Sequence, residues 1–379
     1  MKNKRYYLKY KDEICLEFSY DALSKDIKIN STMKCYAFIP KNLQDFNCED
    51  LKDFLLLHNF IPKSRHNYSK LFKNIGDEFY LYEKFHGLNV NNNLWICRVG
   101  SQLKWDDINC FDHFKNELFL QMLSENPTIK KPEDLYSPDW FTNGEAIKSW
   151  NQINNEIYLL KAPIAFYDKY LYSNFAEYFS SQVAQLLFKN SVRYDLVEHD
   201  NKLLTKCRNF CSKLTNYFPF SQLFFNRENL EEKLIELYGQ ENYEDLMVFD
   251  ALIFNTDRNL GNFGLLYDTK SDSFVKPAPI FDFNKSLAYD FPIYQNKIGM
   301  QQLENYSKRL TAFYESFDVQ LYKFARPRHI EWVKKLEKFK FKNTSCVKDK
   351  KYIKFIKEII KNQTEKLSEI LERNNSINV

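Results

Sequence analysis

The run Asn255-Thr256-Asp257-Arg258-Asn259-Leu260-Gly261-Asn262-Phe263-Gly264, followed by Ile280-Phe281-Asp282-Phe283-Asn284, gathers the residue types best suited to chemistry. Asp257 offers a carboxylate that can accept the proton of an incoming hydroxyl or simply orient it. Asn262, five residues on, and Asp282, twenty further, add one neutral and one charged oxygen. Mg²⁺ takes one or two carboxylates together with phosphate oxygens and waters, so this donor set suits a metal that carries nucleotide phosphates. Phosphoryl transfer asks little covalent chemistry of a protein, and a few placed oxygens are enough to indicate it. Taken alone, Asn255-Thr256-Asp257 is also the composition of an Asx-turn. The second Asp, set after an apolar Ile-Phe, moves the reading toward phosphoryl transfer from ATP.

Such a loop must be aimed by its flanks. The apolar pattern of Tyr243–Phe254 predicts a helix ending just before Asp257, and Gly261 and Gly264 make the loop beyond it tight. Phe263–Tyr267 and Phe274–Pro279 read as short strands joined by the polar turn Asp268–Ser273, a hairpin that would return Asp282 to the side of Asn262. Upstream, Glu145–Ile153 and Glu156–Lys161 flank Asn154-Asn155, a dipeptide tolerant of positive φ, and read as a second hairpin. Lys161 ends its apolar strand, where an ammonium can meet ATP phosphates as a point charge. Before it, Thr142-Asn143-Gly144-Glu145 with Lys148 can cover phosphates with backbone N–H groups, although the loop holds a single glycine.

Ser173-Asn174 opens a helix whose Ala176, Phe179, Val183, Leu186 and Leu187 share a face. Glu177 within it has two readings, an anchor for Lys161 or the N3 partner of a helix cap. Arg193–Glu198 and Lys202–Cys207 form a further hairpin across His199-Asp200-Asn201. Residues 6–40 alternate as strands do, and helices are expected over Glu49–Asn59, over Arg65–Asn74 with Gly76 as C-cap, and near Asp112–Leu123. Leu230–Tyr238 and three long C-terminal segments are helical in pattern. The fold class is α+β, with a small lobe over 1–206 and a mostly helical catalytic lobe over 207–379. The small lobe divides into an extension, 1–135, and a nucleotide-binding sheet and helix, 136–206.

These motifs, in order, resemble the HipA-like serine/threonine kinases. The resemblance runs from about Thr142 to Leu287 and rests on Asn143-Gly144-x-x-x-Lys148, Leu160-Lys161, Glu177, Leu204-Thr205-Lys206-Cys207, Asn255-x-Asp257-Arg258-x-x-x-Asn262-Phe263-Gly264 and Ala278-Pro279-Ile280-Phe281-Asp282. It implies a two-lobed protein-kinase-like fold, ATP and Mg²⁺, and Ser or Thr acceptors on proteins. By position, it makes Asp257 the catalytic base, Asn262 and Asp282 the metal ligands and Lys161 the phosphate-binding lysine. Gly144 and Lys148 fall to the phosphate loop, Glu177 to its supporting helix, and Lys206 to Cys207 to the adenine-contacting hinge. Asn259 stands where related sequences often have His, Phe283-Asn284 replaces the Phe-Gly of ordinary kinases, and residues 1–135 show no clear match to the smaller N-terminal module of the persistence toxin. Thr142 and Ser149 border the loop and make autophosphorylation a natural expectation.

Composition bounds the alternatives. With 44% hydrophobic and 17% aromatic residues in 379, the chain buries a sizeable core and is not disordered. A net charge of +4 with interspersed signs gives no ground for a nucleic-acid partner. The Lys-rich stretch from Lys323 to Lys361 reads as a solvated helix surface rather than a binding patch. The eight cysteines lack paired CxxC spacing, and Cys207 and Cys211 have no His pair to complete a zinc site. No signal peptide or apolar run of membrane length is visible, so a cytoplasmic protein, or one exported without a cleaved signal, is expected. A phosphatidylinositol-kinase-like lipid or small-molecule kinase shares the Asp257-Arg258-Asn259-x-x-Asn262 pattern. A non-catalytic basic binding protein is the reading from another class.

Overall fold

The computed structural model describes residues 4–32, 48–73, 75–166, 169–223, 228–294 and 300–377, so the strand expectation over 33–40 lies outside the described residues. The chain forms two compact units that interleave along the sequence: residues 1–161, 208–228 and 264–276 make the first, and 162–207, 229–263 and 277–379 the second. Residues 162–206, read from sequence with the N-terminal part, thus group with the C-terminal residues.

In the first unit, the alternation of residues 6–32 does produce strands. Lys4–Tyr10, Glu13–Asp21 and Asp26–Thr32 form an antiparallel sheet that Leu94–Arg98 completes beside the first strand. That fourth strand escaped the sequence reading, because Leu94-Trp95-Ile96-Cys97 is buried throughout and shows no alternation. The expected helix over Asp112–Leu123 shrinks to Phe119–Leu123. The Asn109 Oδ1 atom accepts from the N–H groups of Phe111 and Asp112, and Asn116 Oδ1 from that of Leu118, so side chains take the donors a helix would need. Arg65–Asn74 likewise contracts to Tyr68–Leu71, with no helix reaching Gly76. Glu49–Asn59 is helical as expected, changing at Phe54 to a π turn.

Lys148–Ile153 and Glu156–Lys161 form the predicted hairpin, with Asn154 and Asn155 at φ +50° and +63°, the left-handed pair a two-residue turn requires. Thr215–Pro219, Gly264–Asp268 and Ser273–Pro277 make a second small sheet. Only glycine fits at 264, where a Cβ would collide with the Phe218 carbonyl.

The second unit is built around the helix Gln240–Ile253, buried on every side (Leu246, Met247, Val248, Phe249, Ala251, Leu252). It packs against Phe317–Phe324, Leu230–Tyr238 and the long helix Lys350–Ile377. Two buried amides tie it further: Gln320 donates to the Met247 carbonyl at 2.7 Å and Gln363 to that of Ala251 at 3.0 Å. The helix Ser173–Leu187 and the hairpin Tyr194–His199 with Lys202–Arg208 fall where predicted, Asp200 and Asn201 taking the positive φ. Along the last helix Tyr352, Phe355, Ile356 and Ile359 are buried, while Lys354–Glu358 and Lys361–Glu365 pair at i,i+4 on the outer face. These pairs place lysines of the basic C-terminal run on an exposed helix face. Among the described residues, no helix is long and apolar enough to cross a membrane.

Candidate active site

The helix Gln240–Ile253 ends on Phe254 at φ +51°, a left-handed cap more usually glycine, and the chain turns at once into Asn255-Thr256-Asp257. Asp257 does lie in an Asx-type turn, since its N–H reaches Asn255 Oδ1 at 3.3 Å. The turn is one part of a larger frame. Asp250 and Arg258, 1% and 2% exposed, form a two-pronged ion pair with Nε–Oδ2 at 2.8 Å and Nη2–Oδ1 at 3.1 Å. The remaining Arg258 nitrogen, Nη1, donates to the carbonyls of Asn262 at 2.7 Å and Phe281 at 2.8 Å. One guanidinium thus fixes the backbone at Asn262 and just before Asp282, which the planar fork of Arg can do and Lys cannot. Asn255 Nδ2 shares the Asp250 carboxylate at 2.9 Å.

The donor atoms follow from this frame. Asn262 Nδ2 donates to the Asp257 carbonyl at 2.7 Å, which turns its Oδ1 the other way, and among the described residues that oxygen has no hydrogen-bond donor. Asp282 sits at φ +60° with its N–H on the Tyr194 hydroxyl at 3.2 Å. Leu287 and Ala288 follow at φ +41° and +53°, so three non-glycine residues of one short segment hold the left-handed conformation. Strain of this kind persists only where the surroundings impose it. They do so here through Phe283, wholly buried against Phe249, and through Ser286, whose hydroxyl bonds the Phe283 carbonyl at 2.6 Å. Two residues past Asp282, Asn284 Oδ1 is buried without a donor among the described residues.

Asp257 is half-buried, and burial pushes its carboxyl above the usual carboxylate range, with nearby Asp282 adding to the rise. Lys285, whose Nζ lies 3.2 Å from Asp257 Oδ2, and the Asn259 amide at 3.1 Å from Oδ1 hold it partly down. Lys285, Asp250 and Tyr194 were not singled out from sequence. Of these, Asp250 left a trace, the one carboxylate within the apolar run Leu246–Phe254, which demands a partner.

Glu177 is buried, and its Oε2 accepts from Thr205 Oγ1 at 2.7 Å. The helix starts at Ser173 with no side-chain cap, so Glu177 is not the N3 partner of a capping box. Thr205→Val keeps the shape and removes this donor from a buried carboxylate. A loss of about 1.5–3 kcal/mol is expected in denaturant unfolding. Lys206 and Cys207, beyond Thr205, pair with Asp195 and Tyr194 across the hairpin.

The remaining predicted residues belong to the first unit. Lys148 and Lys161 are directly opposed across their hairpin, and both are buried. Like charges placed side by side repel, so the pair concentrates positive potential suited to an anion. Gly144 adopts φ +106°, and Lys148 Nζ donates to the Asn143 carbonyl at 2.9 Å. Thr142 and Ser149 are buried, with hydroxyls bonded to the Pro138 carbonyl at 3.1 Å and to the Asp139 carboxylate.

Each group, within its own unit, offers residue types that a protein-kinase-like phosphotransfer site uses. Residues 151–310, about two fifths of the chain, match the family described as HipA-like kinase. Among individual proteins, it is 27% identical over 156 residues to the serine/threonine-protein kinase CtkA of Helicobacter pylori (strain J99), covering 35% of this chain and 48% of the relative. The chain therefore aligns with about half the length of that relative. The crystal structure of a Helicobacter pylori proinflammatory kinase CtkA covers 61% of this chain and 95% of its own at 18% identity and a TM-score of 0.46. Shewanella oneidensis MR-1 HipA, solved with HipB and its operator DNA, covers 97% and 99% at 13% identity and a TM-score of 0.53. That likeness is one of fold. It takes in the N-terminal residues for which the sequence showed no clear counterpart.

Proposed function

We propose that the chain is an ATP- and Mg²⁺-dependent kinase that transfers the γ-phosphate to Ser or Thr hydroxyls of proteins. The observation that carries the reading is the Arg258 frame, which fixes Asp257, Asn262 and Asp282 relative to one another through their backbones. The outward Asn262 Oδ1 and the Asp282 carboxylate are hard oxygen donors of the kind Mg²⁺ takes. When bound, the metal would neutralise charge on the phosphates. Asp257 receives or orients the acceptor hydroxyl, Lys161 and Lys148 attract phosphate oxygens, Gly144 allows close backbone approach, and Lys206 and Cys207 serve adenine through main-chain groups. Glu177, held by Thr205, keeps its helix in order beside the hinge hairpin.

The purified protein with γ-labelled ATP and Mg²⁺, offered a protein substrate and phosphoinositide vesicles side by side, tests the proposal. Label is expected in protein and lost with EDTA. Label in lipid alone would assign the lipid reading instead, and no transfer at all would leave a binding protein. Self-modification belongs to the same proposal, and either Thr142 or Ser149 must leave its buried bond to be reached. Mass spectrometry after incubation with ATP checks both sites.

The pH dependence follows from Asp257. A base works deprotonated, so kcat/KM falls as pH drops through the folded-state pKa. Lys285 holds that pKa down, and Lys285→Met is expected to move the acid limb of the pH–rate profile to higher pH. An unmoved limb would show that Asp257 does not control it.

A further inference from the structure

The candidate phosphate loop is gripped by a side chain that belongs to none of its motifs. Arg65 is 2% exposed, and burial pushes its guanidinium down to about 10, opposed by the nearby Asp139 carboxylate. Its Nε donates to the Gly144 carbonyl at 2.9 Å and its Nη2 to that of Thr142, while Nη1 is buried without an acceptor among the described residues. With Lys148 on the Asn143 carbonyl at 2.9 Å, three consecutive carbonyls face cations. In a trans peptide the carbonyl and the next N–H point oppositely, so the N–H groups of Asn143, Gly144 and Glu145 are turned away from those cations. Successive N–H groups presented together make an anion-binding concavity. At present Asn143 Oδ1 covers the Gly144 N–H at 2.6 Å, in the place of an anion's oxygen. At φ +106° residue 144 holds a backbone conformation that side chains rarely adopt, so glycine suits this loop.

We propose that Arg65 is a positioning residue for the phosphate loop, and that residues N-terminal to the matched family region are thereby part of nucleotide binding. The inference rests on the reading of Gly144 as a phosphate loop. A buried cation is costly unless several bonds compensate it. Here the compensating acceptors are the two carbonyls whose direction decides where the loop's N–H groups point. Lysine cannot reach both, because it lacks the rigid fork.

The test compares Arg65→Lys with the unaltered full chain for binding of Mg-ATP and of adenosine, with thermal unfolding as a control. The variant is expected to bind ATP about tenfold more weakly, while adenosine affinity stays the same. ATP binding unchanged, or ATP and adenosine weakened equally, would overturn the inference, the second result marking a merely structural arginine. If the unaltered chain binds no ATP, the kinase reading itself falls and this inference with it. Hydrogen exchange on the unaltered chain covers the case in which Arg65→Lys does not fold. ATP is expected to slow exchange of the amides of residues 143–145, and no slowing would remove the proposal.

Discussion

Asp257→Asn is expected to lower the rate of phosphate transfer by about 10²–10⁴-fold, the span over which a positioned base contributes, with the folded state intact. The frame around residue 257 is made by its backbone. Its N–H binds Asn255, and its carbonyl accepts from the Asn262 amide at 2.7 Å and from the Asn259 N–H at 2.8 Å. All of these survive the substitution, and asparagine keeps an oxygen for Lys285 or Asn259. Stability supports the same expectation. A carboxyl whose folded pKa is raised weakens the fold at neutral pH, so replacing it with a neutral isostere costs nothing on that account. Rates with labelled ATP and a thermal melt on the same sample check both halves. A rate within a few-fold of the unaltered chain would remove Asp257 from the chemistry.

The second large effect concerns the frame itself. Arg258→Met and Asp250→Leu are each expected to cost about 3–5 kcal/mol in denaturant unfolding, because each leaves a buried charge without its partner. With both exposed by only 1–2%, no solvent screening softens the loss. The double variant Asp250→Leu/Arg258→Met removes both charges and should cost less than the sum. Additive costs would mean the pair is not coupled. Activity should fall in Arg258→Met beyond what unfolding explains, since the carbonyls of Asn262 and Phe281 lose their shared donor.

What the sequence disclosed depended on range. Asn154-Asn155 and Asp200-Asn201 declared their hairpins because positive φ is a local demand that Asn and Asp meet. The helix Ser173–Leu187 declared itself by its apolar face, whereas spacing marked Asp257, Asn262 and Asp282 without showing the Arg258 and Asn262 side-chain bonds that join their backbones. Hidden features are those whose partners lie far along the chain. Leu94–Arg98 is a strand because Tyr6 to Tyr10 lies beside it. A local exception is the helix that residue preferences allowed and the Asn109 and Asn116 side chains shorten, by taking N–H groups two and three residues on. Glu177 was ambiguous until Thr205 appeared opposite it, and Arg65 carried no signal at all, being one basic residue whose acceptors are main-chain carbonyls.

The interleaving of the two units bears on how the protein can be made and divided. The aromatic core of the first unit includes Phe218 and Tyr267, contributed by stretches that come after the first crossing into the second unit. A ribosome must therefore have passed residue 276 before that core has all its members. Until then, the N-terminal sheet waits with an unfilled apolar side, a stage at which a chaperone has reason to hold it. Expressing residues 1–161 alone would reproduce that stage permanently. A proteolytic dissection seeking a minimal folded fragment should instead retain the chain from its start through residue 276 and beyond.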